Sequence, residues 1–307
     1  MRALGMGRAV AMAITVLPPR RALATAGAVS LAALEAKAAA VRAQLALPAH
    51  RDDALAFDSA FSRADGSERG WCNWLVPGHL MVGRYPHLDP IAQPPRAGSA
   101  AFAGGPSEDA ARAHLDKLHG AGITCFVCLQ QELPPQQSCD QWPGDGLVYL
   151  PSGGARERFP GPFVRYFHAA HEARVARPAR PARELDFVHF PIHDLSLPAS
   201  DEAAYGLLHQ LLGRLEPRQA SDGHGMYVHC WGGRGRAGLV GGALLALLRP
   251  ELGSDEIVRT VQAGYDTRAG AKSQRGSLAL SPQTDEQRAW LAAFAAACHA
   301  LRAGAAS

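Results

Sequence analysis

The sequence predicts an α/β fold in which a central, mostly parallel sheet is flanked by helices on both faces. Three observations predict it. Short apolar runs without polar alternation recur along the chain, as expected of strands buried on both faces. They alternate with segments of helical periodicity, the order that builds a parallel sheet from strand–helix–strand units. Finally, "MYVHCWGGRGRAGLVGGALLALL" (226–248) runs from a short apolar strand through a glycine-rich turn into a long apolar helix.

The elements follow in order. "HLMVGRYP" (79–86) reads as a strand ending in a turn. "SEDAARAHLDKLHGAG" (107–122) has a Ser-x-Glu-Asp start, helically spaced apolar residues and a glycine stop, so it is predicted as a helix. "ITCFVCLQ" (123–130) is a buried strand. Residues 132–183 are rich in Pro, Gly, Gln and Arg and are predicted as a surface insertion, with helix in "FVRYFHAAHEARVAR" (163–177). "LDFVHFPI" (185–192) is another strand. The polar "HDLSLPASDE" follows it, and then the helix "EAAYGLLHQLLGRL" (202–215), with Asp201 as its expected cap. Beyond the glycine turn, "SDEIVRTVQAGYDTR" (254–268) and "TDEQRAWLAAFAAACHALRA" (284–303) are late helices. Trp71, Trp74 and Trp290 are expected as packing anchors, and Arg268 as solvated surface.

A chain of 307 residues, 47% hydrophobic and 19% charged, can form one large domain. Residues 1–48 hold six basic residues and one acid, Glu35, so they carry more positive charge than the whole chain's net +3. This alanine-rich, acid-poor start resembles an organelle transit peptide. Plastid is expected ahead of mitochondrion or cytoplasm, and an ordinary helix is the alternative for "LAALEAKAAAVRAQLAL". Residues 49–70 read as a linker and 71–302 as the main folded domain. No run of 18 apolar residues predicts a membrane span. The near-neutral body argues against a nucleic-acid partner. The six cysteines show no disulfide framework, which points to a reducing compartment. Cys125 and Cys128 sit three apart on a strand and face opposite ways, so they are expected in the core rather than on a metal.

The glycine turn fits two phosphate motifs. Gly233-Arg-Gly235-Arg-Ala-Gly238 is literally G-x-G-x-x-G, but a helical pattern follows where a dinucleotide site needs a second strand and an acid. The other pattern is His229-Cys230-x-x-Gly233-x-x-Arg236. A thiol at a helix N-terminus beside arginine is favoured as the nucleophilic thiolate. The loop N–H groups and the planar guanidinium of Arg236 can together hold three phosphate oxygens. Such a reaction also needs an acid for the leaving oxygen and a group to hold the attacking water. Asp194, in a loop between Pro191 and Pro198, can serve as the first. "SPQTDEQ" offers Gln283 and Gln287 for the second.

These residues resemble the cysteine-dependent protein-tyrosine and dual-specificity phosphatase superfamily. "VHCWGGRGRAG" is similar to its V-H-C-x-x-G-x-x-R-[ST]-G loop, "HFPIHDLSLP" to its mobile acid loop and "QTDEQ" to its glutamine loop. "WCNWLVPGHLMVGRYPHLDP" resembles the opening strand pair of atypical dual-specificity-like members from photosynthetic organisms. The resemblance spans roughly three quarters of the chain. It implies a single phosphatase-type domain that acts through a cysteinyl-phosphate intermediate, without metal or cofactor; a monomer is expected. Cys230 would be the nucleophile, Arg236 the phosphate clamp, Asp194 the acid and then the base, and Gln283 the residue positioning water. His229 would support the thiolate from behind. Trp231, Gly232, Gly233, Arg234, Gly235 and Ala237 would line the phosphate cup.

The family usually has Ser or Thr where this chain has Ala237. Losing that hydroxyl is expected to slow turnover, on the order of tenfold to a hundredfold if one charge-assisted hydrogen bond is lost. A protein phosphoresidue is the expected substrate. The alternatives are an inositol phosphate, phosphoinositide or small phosphorylated metabolite, and a phosphate-binding module with little turnover.

Overall fold

The computed structural model describes residues 28–63, 65–91, 105–176, 184–216 and 225–305. Helix α1 (Leu31–Gln44) is followed by a hairpin of β1 (Ala60–Ser62) and β2 (Glu68–Gly70). Next come β3 (Cys72–Val76), β4 (Leu80–Gly83), α2 (Glu108–Gly120) and β5 (Ile123–Gln130). A lobe follows, made of β6 (Leu147–Tyr149), α3 (Gly154–Arg158), β7 (Pro162–Val164) and α4 (Phe167–Val175). The chain then runs through β8 (Asp186–Ile192), α5 (Asp201–Leu215), β9 (Gly225–His229), α6 (Gly235–Leu248), α7 (Ser254–Asp266) and α8 (Asp285–Ala305).

The five-stranded sheet has the order β3-β4-β9-β5-β8. Only the edge pair β3–β4 is antiparallel; β4, β9, β5 and β8 run parallel, so the predicted mostly parallel α/β architecture is what forms. Alternation along β5 separates two cores. Cys125, Val127 and Leu129 belong to the cluster under α1, α5, α6 and α8, whereas Phe126 and Cys128 belong to the aromatic cluster under α2 and α4. Both cysteines are buried and free, as expected for core residues. Helix α6 is buried along its whole length because it crosses the middle of the sheet closely. A Cβ on Gly241 would lie 2.3 Å from Val82 Cγ1, so glycine is what permits that approach. Among the described residues, no helix is long and apolar enough to cross a membrane.

Four expectations need correction. The first concerns residues 1–48, whose described part, residues 28–48, holds the helix that was the alternative to a leader. Ser30 caps α1, and Leu34, Ala38 and Val41 place a continuous stripe in the first core. Glu35 takes both Arg302 Nε (2.9 Å) and Arg302 Nη2 (2.9 Å), and Arg42 as well. The alanine-rich composition that resembles a leader is here that of a packed helix; residues 1–27 lie outside the described part. Deleting residues 28–48 is expected to lower the thermal midpoint by several degrees, since burying Leu34 and Val41 alone is worth about 3 kcal/mol or more. A thermal melt of the truncated chain checks this, and an unchanged midpoint would show that α1 is dispensable.

The second concerns residues 49–70, which are not a free linker. Leu55 and Phe61 are buried, Phe61 meets Trp71 edge-on at 5.1 Å, and Trp74 N–H donates to Leu55 O at 2.8 Å. The third is the predicted surface insertion at 132–183. Over its described residues it sends Leu133, Trp142, Leu150, Phe163, Tyr166 and Ala170 into the aromatic core. Proline and glycine there mark tight turns between buried anchors rather than a solvated loop. The fourth is Arg268, which is buried rather than solvated and donates to Asn73 Oδ1 (2.8 Å) and Val82 O (2.9 Å). A smaller difference lies at α5, where Ser200 caps the helix through Ala203 N–H and Asp201 accepts from Trp290 Nε1 instead. Trp71 and Trp74 are buried, and Trp290 stacks on Phe294, as packing anchors should.

Candidate active site

The site lies where β9 ends and α6 begins. Cys230 closes the central strand, and residues 231–234 turn before the helix starts at Gly235. The turn needs glycine at 233. Its φ is +70°, and a Cβ there would stand 2.2 Å from both Arg84 N and Gly83 C. That seats the loop against the end of β4, where Tyr85 N–H also donates to Trp231 O at 3.0 Å. The first N–H groups of α6, from Gly235 to Ala237, have no carbonyl one turn earlier within the helix, and they carry the positive end of its dipole. Cys230 is only 3% exposed.

Arg236, in the first turn of α6, is fully buried. Its Nη1 donates to Glu132 Oε2 (2.8 Å) and to Ile192 O (3.0 Å), while Nη2 donates to Glu132 Oε1 (3.2 Å). Asp194 Oδ1 is 3.0 Å from Nη2. The remaining donor, Nε, is buried and has no partner. Burial alone would lower the arginine's pKa, but Cys230, Glu132 and Asp194 together raise it above the ordinary value. The guanidinium is therefore a fixed cation. One edge is held by Glu132 and β8; its Nε and the Nη2 hydrogen facing Asp194 remain for an anion.

Asp194 follows β8 in a turn whose next residue, Leu195, has φ +62° and is 47% exposed. Ser196 N–H closes the turn on His193 O at 3.1 Å. The Asp194 side chain is 52% exposed, at the rim rather than in the core. Gln283 stands on the other side. Its Oε1 accepts from Arg234 Nε at 3.3 Å, and a Cβ on Gly235 would lie 3.4 Å from it. Ser281, just before, donates its hydroxyl to Arg234 O at 3.0 Å.

His229 is fully buried, and burial pushes its pKa down to about 3, so it is neutral at physiological pH. Its Nε2 is 2.7 Å from Tyr166 Oη, which burial likewise keeps in its neutral hydroxyl form. Ala237 is fully buried within the first core cluster. Trp231 leaves the cup to pack edge-on against Phe159 (5.1 Å) and Phe163 (5.4 Å), so the β6–β7 lobe forms one wall beside the turn.

The structure thus brings Arg236 together with Asp194, and Arg234 with Gln283, around the turn that begins at Cys230. Two site residues are missing from the sequence reading. Glu132 holds Arg236 from 104 positions away, and Tyr166 holds His229 from 63. A buried arginine calls for a carboxylate partner, but nothing near it in sequence says which one.

No protein-family model matches the chain, and no curated protein does. Solved structures that it resembles include a kinase-associated phosphatase in which serine replaces the catalytic-site cysteine, and the protein tyrosine phosphatase TbPTP1 of Trypanosoma brucei. The first is 15% identical with a TM-score of 0.37, covering 71% of this chain and 86% of that one. The second is 15% identical with a TM-score of 0.37, covering 88% and 92%. Both are phosphatases.

Proposed function

We propose that the chain hydrolyses phosphate monoesters through a cysteinyl-phosphate intermediate. The observation that carries this reading is Arg236. A buried guanidinium is anchored along one edge, with an orphan Nε beside a cysteine at a helix N-terminus. Leaving such a donor unpaired costs about 1–3 kcal/mol, which an oxyanion of the substrate would recover. In the forward step Cys230 sulfur bonds to phosphorus as the ester P–O bond breaks. Asp194 gives its proton to the leaving oxygen. Water held by Gln283 then attacks phosphorus, Asp194 takes its proton, and the P–S bond breaks to release phosphate.

The favoured substrate is a protein phosphoresidue, because the partly exposed aromatic pair Trp231 and Phe159 beside the turn suits a bulky side chain better than a small metabolite. An inositol phosphate or phosphoinositide is the runner-up, on the strength of Arg234. We further propose a monomer in which the Arg-rich residues 1–27 carry a plastid-targeting signal.

Asp194→Ala tests the acid. On phenyl phosphate, whose leaving oxygen needs a proton, kcat/KM is expected to fall by about 10² or more. On an aryl phosphate with a strongly electron-withdrawing ring the loss should be small. Equal rates of wild type and variant on phenyl phosphate would remove Asp194 from the role. A second reading, a phosphate-binding module with little turnover, is favoured by one observation: the position of the expected hydroxyl is a core alanine, Ala237. Vanadate binding without turnover by the wild type would select it.

A further inference from the structure

We infer that Gln287 is a positioning residue that fastens the acid turn to the glutamine turn, so that Asp194 and Gln283 are held in one frame. The inference rests on the reading of the site as a phosphatase centre, and the contacts are specific. Gln287 is fully buried. Its Oε1 accepts from Gln283 N–H (3.2 Å) and Thr284 N–H (3.3 Å), and its Nε2 donates to Ser196 O at 3.0 Å. Thr284 Oγ1 in turn accepts from Gln287 N–H at 3.1 Å. A Cβ on Gly235 would lie 3.2 Å from the Gln287 oxygen, so the amide also rests against the first turn of α6.

One side chain therefore meets three parts of the site: the backbone that carries Gln283, the carbonyl two residues beyond Asp194, and the helix start that closes the phosphate cup. Its oxygen and one amide hydrogen are engaged in these bonds, so its role is to brace rather than to hold water. The brace matters because the acid turn is otherwise exposed. Leu195 points to solvent at positive φ, and the Asp194–Arg236 pair competes with a bound phosphate for the same Nη2. When phosphate takes that donor, the bond from Gln287 to Ser196 still fixes the turn.

Gln287→Glu isolates the bond. The carboxylate can still accept from the Gln283 and Thr284 N–H groups, but it has no hydrogen for Ser196 O and sets lone pairs against it. Phenyl phosphate hydrolysis by this variant is expected to fall about tenfold or more in kcat/KM, while an aryl phosphate with an electron-withdrawing ring changes by less than about threefold. Amide hydrogen exchange at residues 194–197 should accelerate, with the remainder of the chain unchanged. Equal loss on both esters, or unaltered exchange at 194–197, would overturn the inference even if the wild type is a phosphatase. Should the wild type hydrolyse neither ester, the proposed function fails, and exchange in the variant still decides whether the brace exists.

Discussion

Cys230→Ser is expected to abolish phosphomonoester hydrolysis while leaving the fold and oxyanion binding intact. Serine is close to isosteric with cysteine, and the side chain sits in a nearly closed position, so little packing is lost. The chemistry changes completely. An alcohol in this position has no base bonded to it: His229 faces Tyr166 through Nε2, and Glu132 and Asp194 are paired with Arg236. A fall in kcat on the order of 10⁵-fold or more is expected, with vanadate or a phosphate ester still bound. Aryl phosphate turnover together with a binding isotherm checks both halves. Appreciable turnover by the variant would show that sulfur is not the nucleophile.

Arg236→Ala is expected to fail in both respects. Removing the guanidinium leaves Glu132 and Asp194 facing each other and strips Ile192 O of its donor. Breaking a buried pair in this way costs about 3 kcal/mol, toward the lower end because Glu132 retains some solvent. Oxyanion affinity and kcat/KM should fall together, the latter by on the order of 10³-fold. Arg236→Lys separates charge from geometry. An ammonium can meet Glu132 or the phosphate, but it cannot span both as a planar fork does. Stability should recover in large part while activity does not. If the lysine variant regains more than about a tenth of wild-type activity, the bidentate clamp is the wrong description.

Much of the site was legible locally. Cys230, Gly233 and Arg236 lie within seven residues, and each is required by chemistry that acts over that distance. A strand must end, a backbone must turn with positive φ, and a guanidinium must reach back over the cup. The turn that carries Asp194 was readable because polar residues and Pro198 follow an apolar strand, although Pro191 proves to lie inside β8 rather than in the loop. Glu132 was not, since its pairing depends on β5 and β8 lying side by side, which no local pattern encodes. Tyr166 was missed for the same reason, and Gln287, read as a candidate for holding water, was not expected to bond Ser196 O. Each bonds a group that reaches it only once the sheet has assembled. At α1 composition fits a leader and a helix alike, and only packing shows the helix docked on α5 and α6 through Leu34, Ala38 and Val41.

By itself, then, the amino-acid order determined the alternation of strand and helix, the glycine turn at 231–234 and the identity of the sulfur and guanidinium within it. Those depend on periodicity and short-range sterics, which act between near neighbours. Only the tertiary structure decided which carboxylate steadies Arg236, which hydroxyl meets His229 and which amide bonds the turn after β8. These are long-range pairings, and burial selects among many chemically equivalent candidates only after the chain has packed.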